Sequence, residues 1–367
     1  MNISLEKKIF SEAVHTVARF AERKSATLPA LSAVLIVAGD DGIKMRATNL
    51  ETGIDFKLAG QCALEGVVAL PATTLQQLAS SLTSEGKVSI EQVGDTALVV
   101  SGTARSTLKT VPYEDFPTIP LPQDQQDHTF IISGAVLRTL LAQLASCASV
   151  STVRPELASI FLSLEGGVLT AVATDSFRLA EKKVPLSNKG TQGTLLVPAK
   201  NAAEIAQALP DEEVIIRFNE HQCAFESASS VLVTRLTNAA YPDYRQIIPK
   251  EFVVEATVLR KDFETALKRT TVFSDSFQKV RLSFSTGKKQ IAFYAHNTEV
   301  GESIETIPAH IDGGDLEISF NHRYLAAALP LTNTENLILS AAGIGRPLVI
   351  RGSGDTSLLY LVSPMNQ

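Results

Sequence analysis

Apolar residues recur three and four positions apart in three well-separated stretches, the spacing that lines one side of a helix. Phe10, Val14 and Val17 make the first stripe, Leu137, Leu140, Leu141 and Leu144 the second, and Leu259, Phe263, Ala266 and Leu267 the third. Each stripe opens a unit and is followed by alternating strands joined at turn signals: Gly39-Asp40-Asp41-Gly42, Glu165-Gly166-Gly167 and Thr286-Gly287-Lys288-Lys289. A second helical pattern carries Leu75, Leu78 and Leu82, then Ile205 and Leu209, then Leu325 and Leu329. Three more alternating strands close each unit, as in Lys87-Val88-Ser89-Ile90-Glu91, Ala97-Leu98-Val99-Val100 and Thr107-Leu108-Lys109-Thr110-Val111.

This succession is a repeat. Ala47-Thr48-Asn49-Leu50-Glu51, Ala173-Thr174-Asp175-Ser176-Phe177 and Ala295-His296-Asn297-Thr298-Glu299 mark the same strand end. Leu70-Pro71-Ala72-Thr73, Val197-Pro198-Ala199-Lys200 and Ser319-Phe320-Asn321-His322 mark the passage from strand to second helix. Phe116-Pro117, Tyr241-Pro242 and Ser363-Pro364 mark the ends, and all three landmarks return at intervals of 122 to 127 residues. The units predicted are 1–125, 126–250 and 251–367, with a polar, proline-containing linker over residues 117–127. Two helices and several antiparallel strands per unit predict an α+β fold in which a helix pair covers one face of a sheet. Six or more strands per unit leave edges that need partners. Pairing edge to edge meets that need, and a ring results where the rotation closes.

Composition adds constraints. With 45% hydrophobic and 20% charged residues, the chain is ordinary for a globular protein. No run approaches a membrane span and the first residues lack a secretory pattern, so a cytoplasmic location without membrane attachment is expected. Cys62, Cys147 and Cys223 are widely separated, which argues against disulfides and against a cysteine metal site. The formal net charge of -6 argues weakly against nucleic acid, because phosphate responds to local rather than total charge.

Locally, cations gather on the predicted helices. Lys7, Lys8, Arg19, Arg23 and Lys24 lie on or after the first helix of unit one, Arg138 in unit two, and Arg260, Lys261, Lys268 and Arg269 in unit three. Lys200, His322 and Arg323 join them from the second helices. A solvated face countered by Glu6, Glu12, Glu22, Asp262 and Glu264 is the simpler explanation for any one helix, but recurrence in equivalent elements favours a phosphate-facing surface. Such a surface has no base-reading geometry and suits sequence-independent attachment to duplex DNA.

Catalytic parts are not visible. His15, His128, His221, His296, His310 and His322 are scattered, and His221-Gln222-Cys223 has no matching ligand pair. Gly343-Ile344-Gly345-Arg346-Pro347 precedes a strand and predicts a hairpin turn rather than a phosphate loop. Neither a metal nor a cofactor is expected. A repeat-built protein adaptor, or a hydrolase or transferase assembled around His296, Asn297 and Glu299, are the alternatives.

Three motifs converge on one family. Ala173-Thr174-Asp175-Ser176-Phe177-Arg178-Leu179-Ala180, Tyr241-Pro242-Asp243-Tyr244-Arg245 with Ile248-Pro249-Lys250, and Tyr360-Leu361-Val362-Ser363-Pro364-Met365 closely resemble the bacterial DNA polymerase III β subunit, the sliding clamp. Thr27-Leu28-Pro29 and Phe320-Asn321 with Tyr324 match too, and the resemblance spans the whole chain. It implies a non-catalytic processivity factor: a head-to-tail homodimer whose six units ring duplex DNA with helices inside. A clamp loader, the polymerase III catalytic subunit, and other polymerases and repair proteins bearing clamp-binding peptides are the implied partners.

The resemblance also implies sites. A partner-peptide groove maps onto Leu157, Thr174, Phe177, Arg178, Leu179, Pro242, Gln246, Ile247, Asn321, Tyr324, Leu361, Val362, Ser363, Pro364 and Met365. The DNA-facing set is Lys7, Arg23, Lys24, Arg138, Lys200, Arg260, Lys268, Arg269 and Arg323. The dimer contact sets Arg105 and Leu108 against Val272 and Phe273. Departures cluster at the groove rim, where Ser176-Phe177 replaces a common Gly-His pair, Gln246 and Asn366 replace Arg, and Ser363 replaces Met. Ser106 stands where better-known members carry an aromatic residue. Fewer rim cations and one added aromatic imply an altered partner preference.

Overall fold

The computed structural model describes residues 1–367 except 24, 26–27, 83–85, 120–127, 188–189, 191 and 366–367. Lys24, Thr27, Asn366 and most of the predicted linker therefore lie outside the described residues. By contact the chain divides into two compact bodies: residues 1–139 with 200–238, and residues 140–199 with 239–367. Of the three dividing points, one falls inside α3 (Gly134–Ala145) and one after the first residue of α4 (Ala199–Ala206), so the sequence repeat and the compact bodies do not coincide.

The first body holds two antiparallel sheets. One has the order β5 (Gly60–Leu64), β1 (Asn2–Glu6), β7 (Lys87–Val93), β8 (Thr96–Ser101), β9 (Ala104–Lys109). The other runs β10 (His128–Ser133), β15 (Glu213–Phe218), β16 (Gln222–Glu226), β17 (Ser230–Arg235), β4 (Thr52–Leu58), β3 (Gly42–Thr48), β2 (Ala33–Gly39), β6 (Gly66–Pro71). Its central joint sets Thr234 opposite Thr52 and Leu232 opposite Ile54, fusing strands of two sequence repeats into one sheet. Helix α1 (Lys7–Val17) packs on β3 and β4 and against α2 (Ala72–Ser81). The short helix α4 (Ala199–Ala206) buries Ala202 and Ile205.

The second body repeats the plan. Its large sheet runs β14 (Gly193–Pro198), β11 (Ser159–Glu165), β12 (Val168–Thr174), β13 (Arg178–Pro185), β26 (Leu358–Val362), β25 (Leu348–Gly352), β24 (Asn336–Ala341), β18 (Val254–Leu259), β22 (His310–Gly313). Here the joint sets Val362 opposite Arg178 and Tyr360 opposite Ala180. Four strands, β21 (Gly301–Pro308), β20 (Gln290–Asn297), β19 (Lys279–Ser285) and β23 (Leu316–Asn321), make the small sheet. Helix α5 (Arg260–Thr270) packs on β20 and β21, and α6 (His322–Ala326) follows β23.

The predicted stripes are core: Phe10, Val14, Val17, Leu137, Leu141 and Phe263 are fully buried. Two expectations change. Each unit opens with a strand, β1, β10 or β18, rather than with its helix. Leu259 is not part of a buried stripe; it ends β18 and is 46% exposed, because α5 starts only at the next residue. The predicted hairpins form, with Gly39 opposite Gly42, Glu165 opposite Val168, Ser285 opposite Gln290, and Ala341 opposite Leu348 across the Gly343–Pro347 turn.

The strand-to-helix passage at α3 is a close one. Gly134 N–H donates to Glu212 O at 2.8 Å, and a Cβ at Gly134 would sit 2.2 Å from Pro210 O. Backbone cannot yield as a side chain does, so Gly134→Ala is expected to lower stability by roughly 2–3 kcal/mol. Denaturant unfolding measures this, and an unchanged midpoint would refute the close approach.

Candidate functional site

Within the second body, the residues around β13 and β26 form one connected surface. Thr174 closes the turn before β13: its Oγ1 donates to Arg178 O at 2.6 Å and accepts from Ser176 N at 3.1 Å. Asp175 Oδ1 accepts from Phe177 N and Arg178 N at 3.0 Å each, while its Oδ2 accepts from Arg178 Nε at 3.0 Å. Ser176 is left-handed at φ 78°, a conformation that presents the next side chain outward. Phe177 is accordingly 58% exposed.

Phe177 does not project alone. Its ring stacks on Tyr324 with centroids 6.0 Å apart and planes 13° apart, and the Arg178 guanidinium lies 5.1 Å from the Tyr324 centroid. Arg178 Nη2 also donates to Ser146 O at 2.7 Å, which fixes the guanidinium between α3's end and the turn. Tyr324 is anchored in turn, since its carbonyl accepts from Tyr360 Oη at 2.8 Å. Burial, then the nearby Cys147 thiol, pushes the Tyr360 hydroxyl well above its ordinary pKa, so it stays a donor.

Strand alternation divides the predicted groove residues between two faces. Thr174, Leu179 and Leu361 share one face, where Leu179 and Leu361 pack with Val172, Val349 and Tyr244 in a closed cluster. Tyr244 Oη donates to Glu181 Oε2 at 2.6 Å, and burial with that hydrogen bond raises the Tyr244 pKa. Pro242, Gln246 and Ile247 are exposed beside Tyr244, with Gln246 Nε2 held by Asp243 Oδ2 at 2.8 Å. Arg178 and Val362 share the other face, where Arg178 lies over Tyr324.

Ser363, Pro364 and Met365 form a short tail after β26. Ser363 N–H donates to Phe177 O and Met365 N–H to Ser319 O, both at 2.8 Å. The tail walls a cavity of about 330 Å³ with Ile318, Ser319, Ile344, Gly345 and Pro347. Asn321 caps α6 by accepting from Arg323 N at 2.9 Å. Leu157, at 5% exposed, is core. Asp175, Tyr360 and Ile344 were missed as site residues; Asp175 lies inside the recognised motif, whereas nothing near Ile344 signals its exposure of 67%.

The predicted cations are not equivalent. Arg23, Lys200, Lys268, Arg269 and Arg323 are exposed, and Arg269 lies 3.6 Å from Glu305. Arg138 pairs with Asp211 at 2.8 Å and donates to Leu209 O, and Arg260 donates to Leu329 O. These two act first as helix-pair braces. Lys7 is only 6% exposed at the β1–α1 joint. Among the described residues no cluster of His, Cys, Asp or Glu could hold a metal, and no helix is long and apolar enough to cross a membrane.

Three domain descriptions of one family match in order. Residues 1–120, 131–243 and 245–366 fit the N-terminal, central and C-terminal domains of the DNA polymerase III beta subunit. The chain belongs to that family. Among curated relatives, the beta sliding clamps of Pseudomonas aeruginosa and Synechococcus elongatus are each 28% identical, over the full length of both chains and over 92% of both chains respectively. The solved structure of the P. aeruginosa clamp bound to griselimycin superposes with a TM-score of 0.94 at 27% identity, covering both chains completely. That of the Bacillus subtilis clamp gives 0.92 at 27% identity, covering 100% of this chain and 99% of the other. A member of this family is a DNA sliding clamp, a non-catalytic processivity factor of the polymerase holoenzyme, and this chain is one.

Asp175 holds the turn and the clamp's aromatic shelf together, and its pair with Arg178 leaves only 15–16% of either side chain exposed. Asp175→Ala is expected to cost about 3 kcal/mol, as for breaking a largely buried pair, with Asp175→Asn costing less because Oδ1 still accepts. Thermal unfolding of the two variants checks the order; equal losses would reject the role of Oδ1 in holding the turn.

Proposed function

We propose that two copies of this chain close head to tail into a ring of six units, with boundaries at 1–125, 126–250 and 251–367, around duplex DNA in the cytoplasm. The observation that carries this reading is a pair of unsatisfied edges. At both internal joints the closing strand of one repeat pairs with the third long strand of another, β17 with β4 and β26 with β13. The strands left over are β9 and β21, each at the edge of its own sheet. Transferring the internal register puts Leu108 opposite Gly301, Ser106 opposite Ser303 and Arg105 opposite Ile304 of the second copy.

Side chains favour this closure. In this register Glu302 of the second copy would lie opposite Thr107, between Arg105 and Lys109 on the same face of β9. Ile304 and Val272 are 65% and 66% exposed and would be covered, with Phe273 beside Val272. Leu108 is already 6% exposed, so its contribution is chiefly backbone. The departure at Ser106 removes an aromatic anchor without disturbing the ladder.

Inside such a ring, Arg23, Arg138, Lys200, Arg260, Lys268, Arg269 and Arg323 would meet phosphates weakly and without base contacts, which permits sliding. Lys7 drops out because it is buried. The Phe177–Tyr324 shelf, the Pro242–Ile247 rim and the tail would take short extended peptides with apolar anchors. Carriers of such peptides would be the polymerase III catalytic subunit, the clamp loader, and other polymerases and repair proteins.

Two measurements test this. In a Cys62→Ser background, since Cys62 is exposed, Ser106→Cys with Ser303→Cys is expected to give a thiol-crosslinked dimer with a short bifunctional reagent. Shifting one cysteine to Thr107 should abolish it, and equal yields would reject the register. Loaded protein should stay on closed circular DNA and leave the same DNA once it is cut; equal salt-dependent release from both forms would reject encirclement.

A further inference from the structure

The turn that presents Phe177 is built a second time, in the first body. Asn49 Oδ1 accepts from Glu51 N at 3.0 Å and Thr52 N at 2.7 Å, as Asp175 does from Phe177 and Arg178. Thr48 Oγ1 donates to Thr52 O at 2.8 Å and accepts from Leu50 N at 3.1 Å, as Thr174 does in its own turn. Arg235 N–H donates to Glu51 O at 2.9 Å, where Ser363 N–H donates to Phe177 O at 2.8 Å. Leu50 and Ser176 are both left-handed, at φ 71° and 78°. Backbone for backbone, residues 48–53 and 233–236 repeat residues 174–179 and 361–364.

The side chains differ, and they leave a space. Gly53 replaces Leu179, and Ile119 comes to 3.2 Å from where a Gly53 Cβ would lie. A cavity of about 450 Å³ opens there, walled by Leu50, Ile119, Val233 and Leu236, with Glu51 and Arg235 at its rim. That volume falls in the range of ligand sites. Leu50 is 48% exposed in a conformation that Gly or Asn adopts far more readily. A strained leucine half in water does little for the fold, but it offers apolar contact to an occupant. Arg235 is exposed and forms no ion pair among the described residues.

We propose that this cavity is a second peptide-docking site, taking an extended segment with one aliphatic anchor for the Leu50–Ile119–Leu236 walls and a carboxylate for Arg235. Glu51 stands where the groove has Phe177, so this site lacks the aromatic shelf and selects a different peptide. The strands β17 and β4 are already paired to each other, so the segment would be held by side-chain pockets rather than added to the sheet. The proposal uses the first groove for comparison and does not depend on it.

The test uses the full chain and a benzophenone-bearing hexapeptide with one Leu and two Asp. Photocrosslinks are expected in the fragments holding Leu50 or Leu236, and Arg235→Glu, or a peptide with Lys for Asp, should weaken binding there at least tenfold. Leu50→Asn suits the left-handed backbone, so it should raise the melting temperature while weakening binding threefold or more. A purely structural Leu50 would not separate the two. Crosslinks confined to residues 177–179 and 361–365, or an Arg235→Glu affinity equal to that of the parent, overturn the proposal. Loss of groove binding in Phe177→Ala with Leu50 crosslinks retained, or the reverse, tells failure of one site from failure of the other.

Discussion

The backbone of an exposed sheet edge must find donors and acceptors, and that demand organises this molecule. A single repeat cannot satisfy it, because each contributes strands that would end in open ladders. The joints β17 with β4 and β13 with β26 turn those ladders into continuous sheets of eight and nine strands. Everything of functional interest follows from where they fall. The turn before β13, the tail after β26 and the segment over Leu179 converge because the joint brings strand ends of two repeats together.

Charge is subordinate to that frame. Arg138 and Arg260 reach the carbonyls of Leu209 and Leu329, so in two repeats a cation first braces a helix to the segment behind the second helix. Only then does its remaining charge reach solvent. A chain of net charge -6 can still carry cations on its helices, because local charge does not follow from the overall sum.

Much of this was legible in the sequence, for physical reasons that also mark the limit. Stripes such as Phe10, Val14 and Val17 were readable because burial imposes helical spacing. Strand β1 was not, because Asn2–Glu6 abuts Lys7–Val17 with no turn residue between them and its short alternation merges into the helical pattern. Lys7 looked like a surface cation for the same reason, being at that hidden joint. At the site, Thr174 to Leu179 could be read because the turn is local. The Phe177–Tyr324 stack and the Tyr244–Glu181 bond join residues far apart in sequence, and periodicity carries no signal for them.

The interleaving of the two bodies has a kinetic meaning. Residues 140–199 leave the first body before residues 200–238 return to complete it, and β17 must find β4 across that excursion. Closing so long a loop costs chain entropy before any ladder bond repays it, which is expected to slow folding. No single repeat completes either large sheet: the eight-stranded sheet draws on two of them, and so does the nine-stranded one. Helix formation is local and fast by comparison, so strand pairing between repeats is the step expected to set the pace at which this chain becomes a clamp.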